Sequence, residues 1–380
     1  MFKNAIDIVR ILGFRIKVDP SWFLIVALII WSLSTAYFPE TLPGYTSTGY
    51  LALSVLAALG LFASLILHEL SHSLMARRFG VKISGITLFI FGGVAELEQE
   101  PTSAKSEFWI AIAGPVMSLL LGGVALVISA AFQLSGLSQA GVALFSYLGL
   151  INLVLAIFNL VPAFPLDGGR ILRAALWAYR GDLMWATRIA SKAGSVFGYA
   201  LVLSGLWALF SGITISGLWQ ILIGMFVLSA SKSAYQHIVT NEALKGKTVR
   251  ALMTEQSWTA SPTDTLEYVV NDIMLGHNVS FVPVLDGDRL LGYADMALAQ
   301  KFRRPEWADT LIGNIYEPTS QANTITPDTP AQTLMDKITK TGQRKFLVSD
   351  GNTLLGVVTL ADLTSYLGIA SMMQHASSTQ

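Results

Sequence analysis

The chain has 380 residues, no formal net charge and no cysteine, and 53% of its residues are hydrophobic while 13% are charged. A soluble globular protein carries about twice that charged share, so the composition indicates a membrane protein with a soluble part. The zero net charge gives no indication of nucleic-acid binding. Because cysteine is missing, disulfides and thiolate metal ligands are excluded, and a metal must be bound by His, Asp or Glu.

The first two thirds of the chain contain six long apolar stretches, each approaching the ~20 residues that cross a bilayer core. They are Trp22–Tyr37, Tyr50–Leu67, Phe108–Phe132, Gly141–Leu160, Ser195–Phe210 and Ile213–Ala230. The amphipathic segment before them, residues 1–20, has no features of a cleavable signal peptide, and we expect no cleavage. The sequence therefore predicts six transmembrane helices.

Lys and Arg residues lie in alternate connections between these stretches. They precede the first stretch, lie between the second and third and between the fourth and fifth, and follow the sixth, while the other three connections contain none. The positive-inside rule then predicts a multi-pass protein of the cell membrane with both termini in the cytoplasm.

The segment Val81–Glu98 is unlike the apolar stretches, because it is rich in β-branched residues and glycine. This pattern predicts one or two β-strands. An open sheet edge is unfavourable in lipid, so a small membrane-embedded sheet should be buried in protein or border a water-filled cavity.

The polar C-terminal third contains an internal repeat. Each half is expected to have a helix after a proline, Pro262 or Pro327, and then two strands joined by a glycine turn. The sequence predicts a membrane domain, a linker, two repeats and a flexible tail. Their bounds are 1–235, 236–247, 248–305, 306–368 and 369–380.

The sequence HELSH, residues 68–72, ends the second apolar stretch. His68 and His72 are four residues apart and project from one helix face, with Glu69 beside the first. This H-E-x-x-H pattern is typical of two zinc ligands and a general base. The alternative is a polar cluster that joins helices, but ionisable groups are unfavourable at membrane depth, and a metal would compensate for them.

A catalytic zinc needs a third protein ligand and an open position for water. Asp167 is the only acidic residue in the sequence NLVPAFPLDGGR, residues 159–170. The prolines break the helix there, and the glycines let the backbone come close to a site. On these grounds alone, Asp167 is equally consistent with a third zinc ligand and with a capping residue in an ordinary cytoplasmic turn.

These two motifs together resemble the site-2 protease family of intramembrane metalloproteases. The stretches AGPVMSLLLG, residues 113–122, and GGVAELEQEP, residues 92–101, add to the resemblance. It implies that His68, His72 and Asp167 bind one zinc ion and that Glu69 is the catalytic base. It also implies that Asn159 helps to stabilise the tetrahedral intermediate, although Asn159 could instead join two helices through a hydrogen bond. The chain departs from the family at Asp19-Pro20, where many members have His.

The repeats resemble a tandem pair of cystathionine-β-synthase (CBS) domains, an α/β fold that often binds adenosine nucleotides. In the second repeat, Thr359 and Asp362 match the positions that contact phosphate and ribose. In the first repeat Asp295 and Leu298 replace them, so at most one complete site for ATP, ADP or AMP is expected. The alternative is a purely structural pair that joins two chains as a homodimer.

Together these features predict an α-helical membrane enzyme with a soluble CBS pair. The resemblance implies hydrolysis of peptide bonds within or near transmembrane segments of membrane proteins, such as anti-sigma factors already trimmed by another protease. The embedded strands near residues 83–97 could pair with an unwound substrate. Two alternatives remain: a transporter or channel regulated by the CBS pair, for which no inverted repeat is seen, and a protease-like scaffold without activity.

Overall fold

The computed structural model describes residues 5–90, 92–97, 100–255 and 257–377. The chain forms two units, Met1–Gln236 and His237–Gln380.

Long helices make up most of the first unit. Helix α1 (Ser21–Ser32) continues through the π-helical turn Leu33–Tyr37 into α2 (Phe38–Thr41). The other helices are α3 (Ser47–Arg78), α4 (Ala104–Ser135), α5 (Gln139–Asn159), α6 (Asp167–Arg180), α7 (Leu183–Phe210) and α8 (Thr214–Leu244). Side-chain oxygens of Thr46, Ser103, Ser138 and Asp182 cap the N-termini of α3, α4, α5 and α7, which explains where these helices begin.

Five helical segments among the described residues are long and apolar enough to cross a membrane. They are Ser21–Thr41, Ser47–Arg78, Ala104–Ser135, Gln139–Asn159 and Leu183–Phe210. They contain the first five predicted apolar stretches, apart from Leu160 at the end of the fourth. The sixth stretch, Ile213–Ala230, lies almost entirely in α8. The predicted class of a multi-pass helical membrane protein is confirmed, while the number of six spans stays a prediction.

A four-stranded sheet lies beside the helices in the strand order β1-β2-β3-β4. Its strands are β1 (Ile6–Ile11), β2 (Phe14–Val18), β3 (Ile83–Phe89) and β4 (Gly92–Leu97). The two hairpins meet through β2 and β3, which are parallel. Strands β3 and β4 confirm the strands predicted in Val81–Glu98. The hairpin of β1 and β2 was not predicted, because its charged residues give an irregular amphipathic pattern.

One face of this sheet packs on α3. Phe14, Ile16 and Val18 of β2 and Ile86 and Leu88 of β3 form one buried cluster with Leu70. Because Leu70 lies between His68 and His72, the sheet packs on the part of α3 that carries the H-E-x-x-H motif.

A tight turn and α6 position the second motif. Asp167 is the first residue of α6, so the motif is a turn followed by a helix start rather than a turn alone. A Cβ on Gly168 would overlap the carbonyl oxygens of Leu160 and Val161, and a Cβ on Gly169 would overlap the backbone at Ala163 and Phe164. The two glycines therefore let the turn fold back over the start of α6.

The second unit contains two similar three-stranded sheets, with strand orders β5-β6-β7 and β10-β9-β8. The strands are β5 (Phe281–Asp286), β6 (Arg289–Asp295), β7 (Glu317–Pro318), β8 (Thr324–Ile325), β9 (Lys345–Asp350) and β10 (Thr353–Thr359). The helices are α9 (Leu266–Tyr268), which continues as a π-helix through Leu275, α10 (Met296–Ala299), α11 (Ala331–Thr341) and α12 (Leu360–Ser377). This arrangement agrees with the predicted duplicated α/β module.

Two predicted segments have more regular structure than expected. The segment 236–247, predicted as a linker, is mostly helical because α8 continues to Leu244. Helix α12 extends through most of the predicted flexible tail, to Ser377, and residues 378–380 lie outside the described part of the chain. Both segments continue an existing helix, which a change in composition alone does not show.

Candidate metal centre

Three side chains from two helices meet at a buried point in the first unit. The Nε2 atoms of His68 and His72 on α3 lie 3.1 Å apart. The Oδ2 atom of Asp167, at the start of α6, lies 3.2 Å from His68 Nε2 and 3.1 Å from His72 Nε2. All three residues are at most 9% exposed. The structure therefore brings Asp167 to the two histidines, from which it is 95 and 99 residues distant in sequence.

The spacing of these three atoms fits a zinc ion. Tetrahedral zinc with ligands at 2.0–2.2 Å separates any two ligand atoms by about 3.3 Å. The three observed distances are close to this value, and the three groups can hold a metal ion. The ligand set of two imidazoles and one carboxylate, with room for a fourth ligand, is also that of many catalytic zinc sites.

The other nitrogen of each imidazole has a partner on α4. His68 Nδ1 lies 2.8 Å from Ser118 Oγ, and His72 Nδ1 lies 2.6 Å from the carbonyl oxygen of Ile110. The Ile110 carbonyl can only accept, so His72 must donate from Nδ1, which leaves a lone pair on Nε2. Such partners fix the ring orientation and tautomer of metal-binding histidines.

Gly114 on α4 leaves the space in front of both histidines. A Cβ at this position would lie 2.6 Å from His68 Nε2 and closer still to His72 Nε2. These are nearly metal–ligand distances, so any larger residue would fill the space that a metal ion needs. A metal ion can therefore fit between the two histidines only if residue 114 is glycine.

Glu69 lies against the embedded sheet. It is 9% exposed, and a Cβ on Gly93 of β4 would lie 2.7 Å from Glu69 Cγ and 3.3 Å from its Oε1. The glutamate side chain therefore occupies the space that Gly93 leaves, and strand β4 sets its position beside the histidines.

A cavity of about 620 Å³ contains the whole cluster. Its walls include His68, Glu69, His72 and Asp167, the predicted intermediate-stabilising residue Asn159 at the end of α5, Gly93 and Val94 of β4, Arg170 of α6, and Phe226, Ser229 and Ser233 of α8. The structure therefore places all five predicted residues of the membrane site around one space. The strand β4 forms part of its wall, which agrees with the expectation that an embedded sheet borders a cavity.

A buried ion pair joins the two helices that support the cluster. Arg173 of α6 donates from Nε to Glu107 Oε1 of α4 over 2.6 Å, and its Nη2 lies 3.2 Å from Glu100 Oε2. Arg173 is 3% exposed and Glu107 is fully buried. Since α6 carries Asp167 and α4 carries Ser118, Ile110 and Gly114, this pair fixes one side of the site relative to the other.

In the second unit, Thr359 and Asp362 lie together at the start of α12. Thr359 donates to Asp362 Oδ2 from its backbone N–H over 2.8 Å and from its hydroxyl over 2.7 Å. In the first repeat Asp295 stands in the place of Thr359; its carboxylate accepts from the backbone N–H of Leu298 and lies 2.7 Å from Lys345 Nζ. The carboxylate of the first repeat is therefore already paired with a cation.

Sequence reasoning missed Ser118, Ile110, Gly114, Glu107 and Arg173. Ser118 and Gly114 lie in the stretch AGPVMSLLLG, and the small residues at every fourth position of this apolar run, Gly114, Ser118 and Gly122, were the available signal. The role of Ile110 comes from its backbone carbonyl, so its side chain gave no signal.

Comparison with known proteins identifies both units. Residues 56–140 and 135–205 match peptidase family M50, and residues 249–296 and 312–369 match the CBS domain. The Mycobacterium tuberculosis protein named "Putative zinc metalloprotease Rip3" is 34% identical over 381 residues, covering 98% of this chain and 95% of that protein. A zinc metalloprotease of Methanocaldococcus jannaschii is 30% identical over 315 residues, covering 83% of this chain and 86% of that protein.

Among solved structures, the site-2 protease from Methanocaldococcus jannaschii is 32% identical, with a TM-score of 0.45, and the match covers 61% of this chain and 95% of that structure. The apolar helices and the relatives named above define a multi-pass membrane protein of the zinc metalloprotease class. The chain belongs to peptidase family M50, the family of the site-2 proteases, and it also carries a pair of CBS domains.

Proposed function

We propose that this protein is an intramembrane zinc metalloprotease that hydrolyses peptide bonds within or near the transmembrane segments of other membrane proteins. One observation supports this most strongly: the three ligand atoms of His68, His72 and Asp167 lie within 3.2 Å of one another, in one cavity with Glu69. The histidines and Glu69 belong to α3, a helix that can cross a membrane.

In this proposal, His68, His72 and Asp167 hold one zinc ion. Zinc, when bound, polarises the scissile carbonyl and lowers the pKa of its water toward ~7. The Glu69 carboxylate accepts a proton from the attacking water and later delivers it to the leaving amine. Glu69 can do this because Gly93 leaves room for its side chain to stay beside the two histidines.

Asn159 contributes a second function in the same cavity. Its side-chain amide has two N–H donors and lines the space shared with Glu69 and Asp167. A donor held there stabilises the negative charge that develops on the carbonyl oxygen during attack. This contribution depends on a fixed position, and the end of α5 supplies one.

The substrate is a membrane-spanning segment that must unwind first, because a helix keeps its carbonyl groups in internal hydrogen bonds. Strand β4 is an edge strand of the described sheet, and its Gly93 and Val94 line the cavity. An extended substrate strand can add to this edge and bring its backbone to Glu69. The family resemblance suggests single-span regulatory proteins, such as anti-sigma factors, as the substrate class.

The charge distribution supports an orientation with both termini in the cytoplasm. Arg77 and Arg78 end α3 and mark the cytoplasmic interface. His68 precedes Arg77 by nine residues, which is about 14 Å along a helix, so in this orientation the metal site lies within the bilayer, nearer the cytoplasm. Labelling of single cysteines placed at exposed positions such as Gly136 and Lys245, in a chain that has no native cysteine, tests this orientation.

Reconstitution tests the proteolytic function directly. The purified protein is placed in lipid vesicles with a single-span reporter peptide, and products are identified by mass spectrometry. We expect cleavage inside or beside the span, loss of cleavage with a zinc chelator, and recovery when zinc is returned. A zinc-containing protein that cleaves none of a panel of spans would support a scaffold, and transport of a solute without cleavage would support the transporter alternative.

We also propose that an adenosine nucleotide binds beside Thr359 and Asp362 and alters the rate of proteolysis. Thr359 uses a single carboxylate oxygen of Asp362, so the other oxygen can accept hydrogen bonds from ribose hydroxyls. In the first repeat Leu298 stands where the second repeat has Asp362, and Asp295, in the place of Thr359, is paired with Lys345, which supports one site rather than two. The contacts between Thr359 and Asp362 are also those of a helix cap, which needs no ligand. The alternative is therefore a CBS pair that binds no nucleotide and only joins two chains as a homodimer.

Calorimetric titration of the full chain with ATP, ADP and AMP separates these roles. Hydrogen bonds to charged groups contribute roughly 1.5–3 kcal/mol, so Asp362→Ala should weaken nucleotide binding by about ten-fold or more. The control is Asp336→Ala, a carboxylate on α11 outside the proposed nucleotide site. If no nucleotide gives heat, or if Asp362→Ala and Asp336→Ala bind nucleotide with equal affinity, the CBS pair has only the structural role.

A further inference from the structure

Strand β1 is the outermost strand of the described sheet on the side away from β4. It pairs with β2 on one side, and its residues from Ile6 to Arg10 are all exposed. Three of these are large and apolar: Ile6, Ile8 and Val9 are 58%, 59% and 48% exposed. An exposed edge strand with apolar side chains readily pairs with another strand.

The outer edge of β1 can take a further strand. Strand β2 packs on α3 at Leu70, next to the histidines, and α3 can cross a membrane. Among the described residues no strand pairs with the outer edge of β1, so its backbone N–H and C=O groups are open to a further strand. A second strand on this edge would satisfy these groups.

The sequence of β1, Ile-Asp-Ile-Val-Arg-Ile, is complementary to itself in antiparallel register. When two copies pair about a twofold axis between Ile8 and Val9, Asp7 of each copy lies opposite Arg10 of the other. The outer pairs are then Ile6 with Ile11. Opposite charges placed across from each other stabilise neighbouring strands, and this register gives two such pairs.

The hairpin itself favours this charge arrangement. Asp7 pairs with Lys17 and Arg10 with Arg15 in the register of β1 with β2. The register shifts between Asp7 and Val9, where β1 has one extra residue, so Asp7 and Arg10 lie on the same face although they are three residues apart. Arg10 thus faces a like charge within its own hairpin, and among the described residues neither Asp7 nor Arg10 forms a salt bridge. A carboxylate from a second copy would offset the repulsion between the two arginines.

We propose that β1 is a homodimer interface, in which two copies of this chain join their β1 strands in antiparallel register and form one continuous sheet. The interface uses residues of the first unit alone and does not depend on the proteolytic function. The interface is short and buries less area than a stable complex of two soluble proteins needs. It therefore acts between chains that share a membrane and meet in a fixed orientation.

Site-specific disulfide formation tests the register. Two tagged forms of the full chain, one with Ile6→Cys and one with Ile11→Cys, are reconstituted together in vesicles and oxidised; the parent chain has no cysteine. We expect a disulfide between the two forms, because these residues are opposite each other. Two Ile6→Cys chains should not cross-link, since the residues would be five positions out of register, about 17 Å at the usual strand rise.

Charge reversal tests the pairing chemistry. Arg10→Asp removes the like-charge pair with Arg15, so the hairpin itself should not suffer, yet across the interface it places a second carboxylate opposite Asp7. We expect the cross-link yield to fall about ten-fold. Adding Asp7→Arg to the same chains restores opposite charges and should restore the yield.

Two results would overturn the proposal. One is a cross-link yield that remains low in the chains with both Asp7→Arg and Arg10→Asp. That result would indicate that β1 contacts a lipid or a substrate, because reversing both charges would not restore such a contact. The other is equal cross-linking in matched and mismatched cysteine pairs, which would indicate random collision. A dimer held only by the CBS pair would give no register-specific disulfide at β1 and would also contradict the proposal.

Discussion

Ser118 Oγ lies 2.8 Å from His68 Nδ1, and this contact connects α4 to α3 directly behind the candidate zinc ligand. The His72 ring is held in the same way by the Ile110 carbonyl. Helix α4 therefore orients both imidazoles, although it contributes no ligand of its own.

Replacing Ser118 with alanine should weaken zinc binding while leaving the fold intact. Loss of such an outer partner typically lowers metal affinity or activity by about 10- to 100-fold. The measurement is zinc affinity by competition with a chromophoric chelator, together with cleavage of a reporter span. Ser129→Ala is the control, because Ser129 lies on the same helix and hydrogen-bonds Ser146 instead. Equal affinity in the two variants would show that Ser118 does not orient His68.

Replacing Gly114 with alanine should abolish zinc binding, because the new Cβ would occupy the space between the two Nε2 atoms. The control is Gly123→Ala on the same helix, where a Cβ meets nothing within 4 Å. Alanine is the better helix former, so neither change should unfold α4 through its backbone. Zinc content is measured after purification. A Gly114→Ala protein with one zinc per chain would contradict the assigned metal position.

Replacing Gly93 with alanine should separate catalysis from metal binding. The added Cβ would lie 2.7 Å from Glu69 Cγ and would push this carboxylate out of place, while the three nearest atoms to the new Cβ all belong to Glu69 and not to the histidines. We expect normal zinc content and a turnover lower by about 10²-fold or more, as for loss of a positioned base. A loss of zinc with unchanged turnover per bound zinc would show that β4 supports the metal instead.

The buried pair of Glu107 and Arg173 should control stability. Arg173→Met leaves the fully buried Glu107 without its cation, which typically costs about 3–5 kcal/mol. The double variant Glu107→Gln with Arg173→Met should recover most of this loss, because no charge remains buried. Thermal unfolding in detergent measures both. Glu242→Gln, which affects the exposed pair of Glu242 with Lys245, is the control and should change little.

The sequence predicted the elements that have a strong local pattern. Apolar runs predicted the membrane helices, β-branched residues with glycines predicted β3 and β4, and the four-residue spacing predicted that His68 and His72 share a helix face. Asp167 was equally consistent with a ligand and a turn from its residues alone, and the resemblance to the family decided between them.

The missed features depend on contacts between distant parts of the chain. Gly114 and Ser118 matter because α4 crosses α3 at the histidines, and Arg173 matters because α6 returns to the start of α4. No local pattern encodes such crossings. The β1–β2 hairpin was missed because its charged residues interrupt the alternation that marks a strand, and the helical extension to Leu244 was missed because its polar end resembles a linker.

The central claim is that Glu69 transfers the proton during zinc-dependent hydrolysis. The most direct test is Glu69→Gln, compared with Glu40→Gln, which lies outside the cavity lining. Zinc content and cleavage of the same reporter span are measured on the same preparations. We expect unchanged zinc in both variants and a turnover about 10²- to 10⁴-fold lower only in Glu69→Gln. A zinc-loaded Glu69→Gln protein that cleaves at the rate of the parent would contradict it.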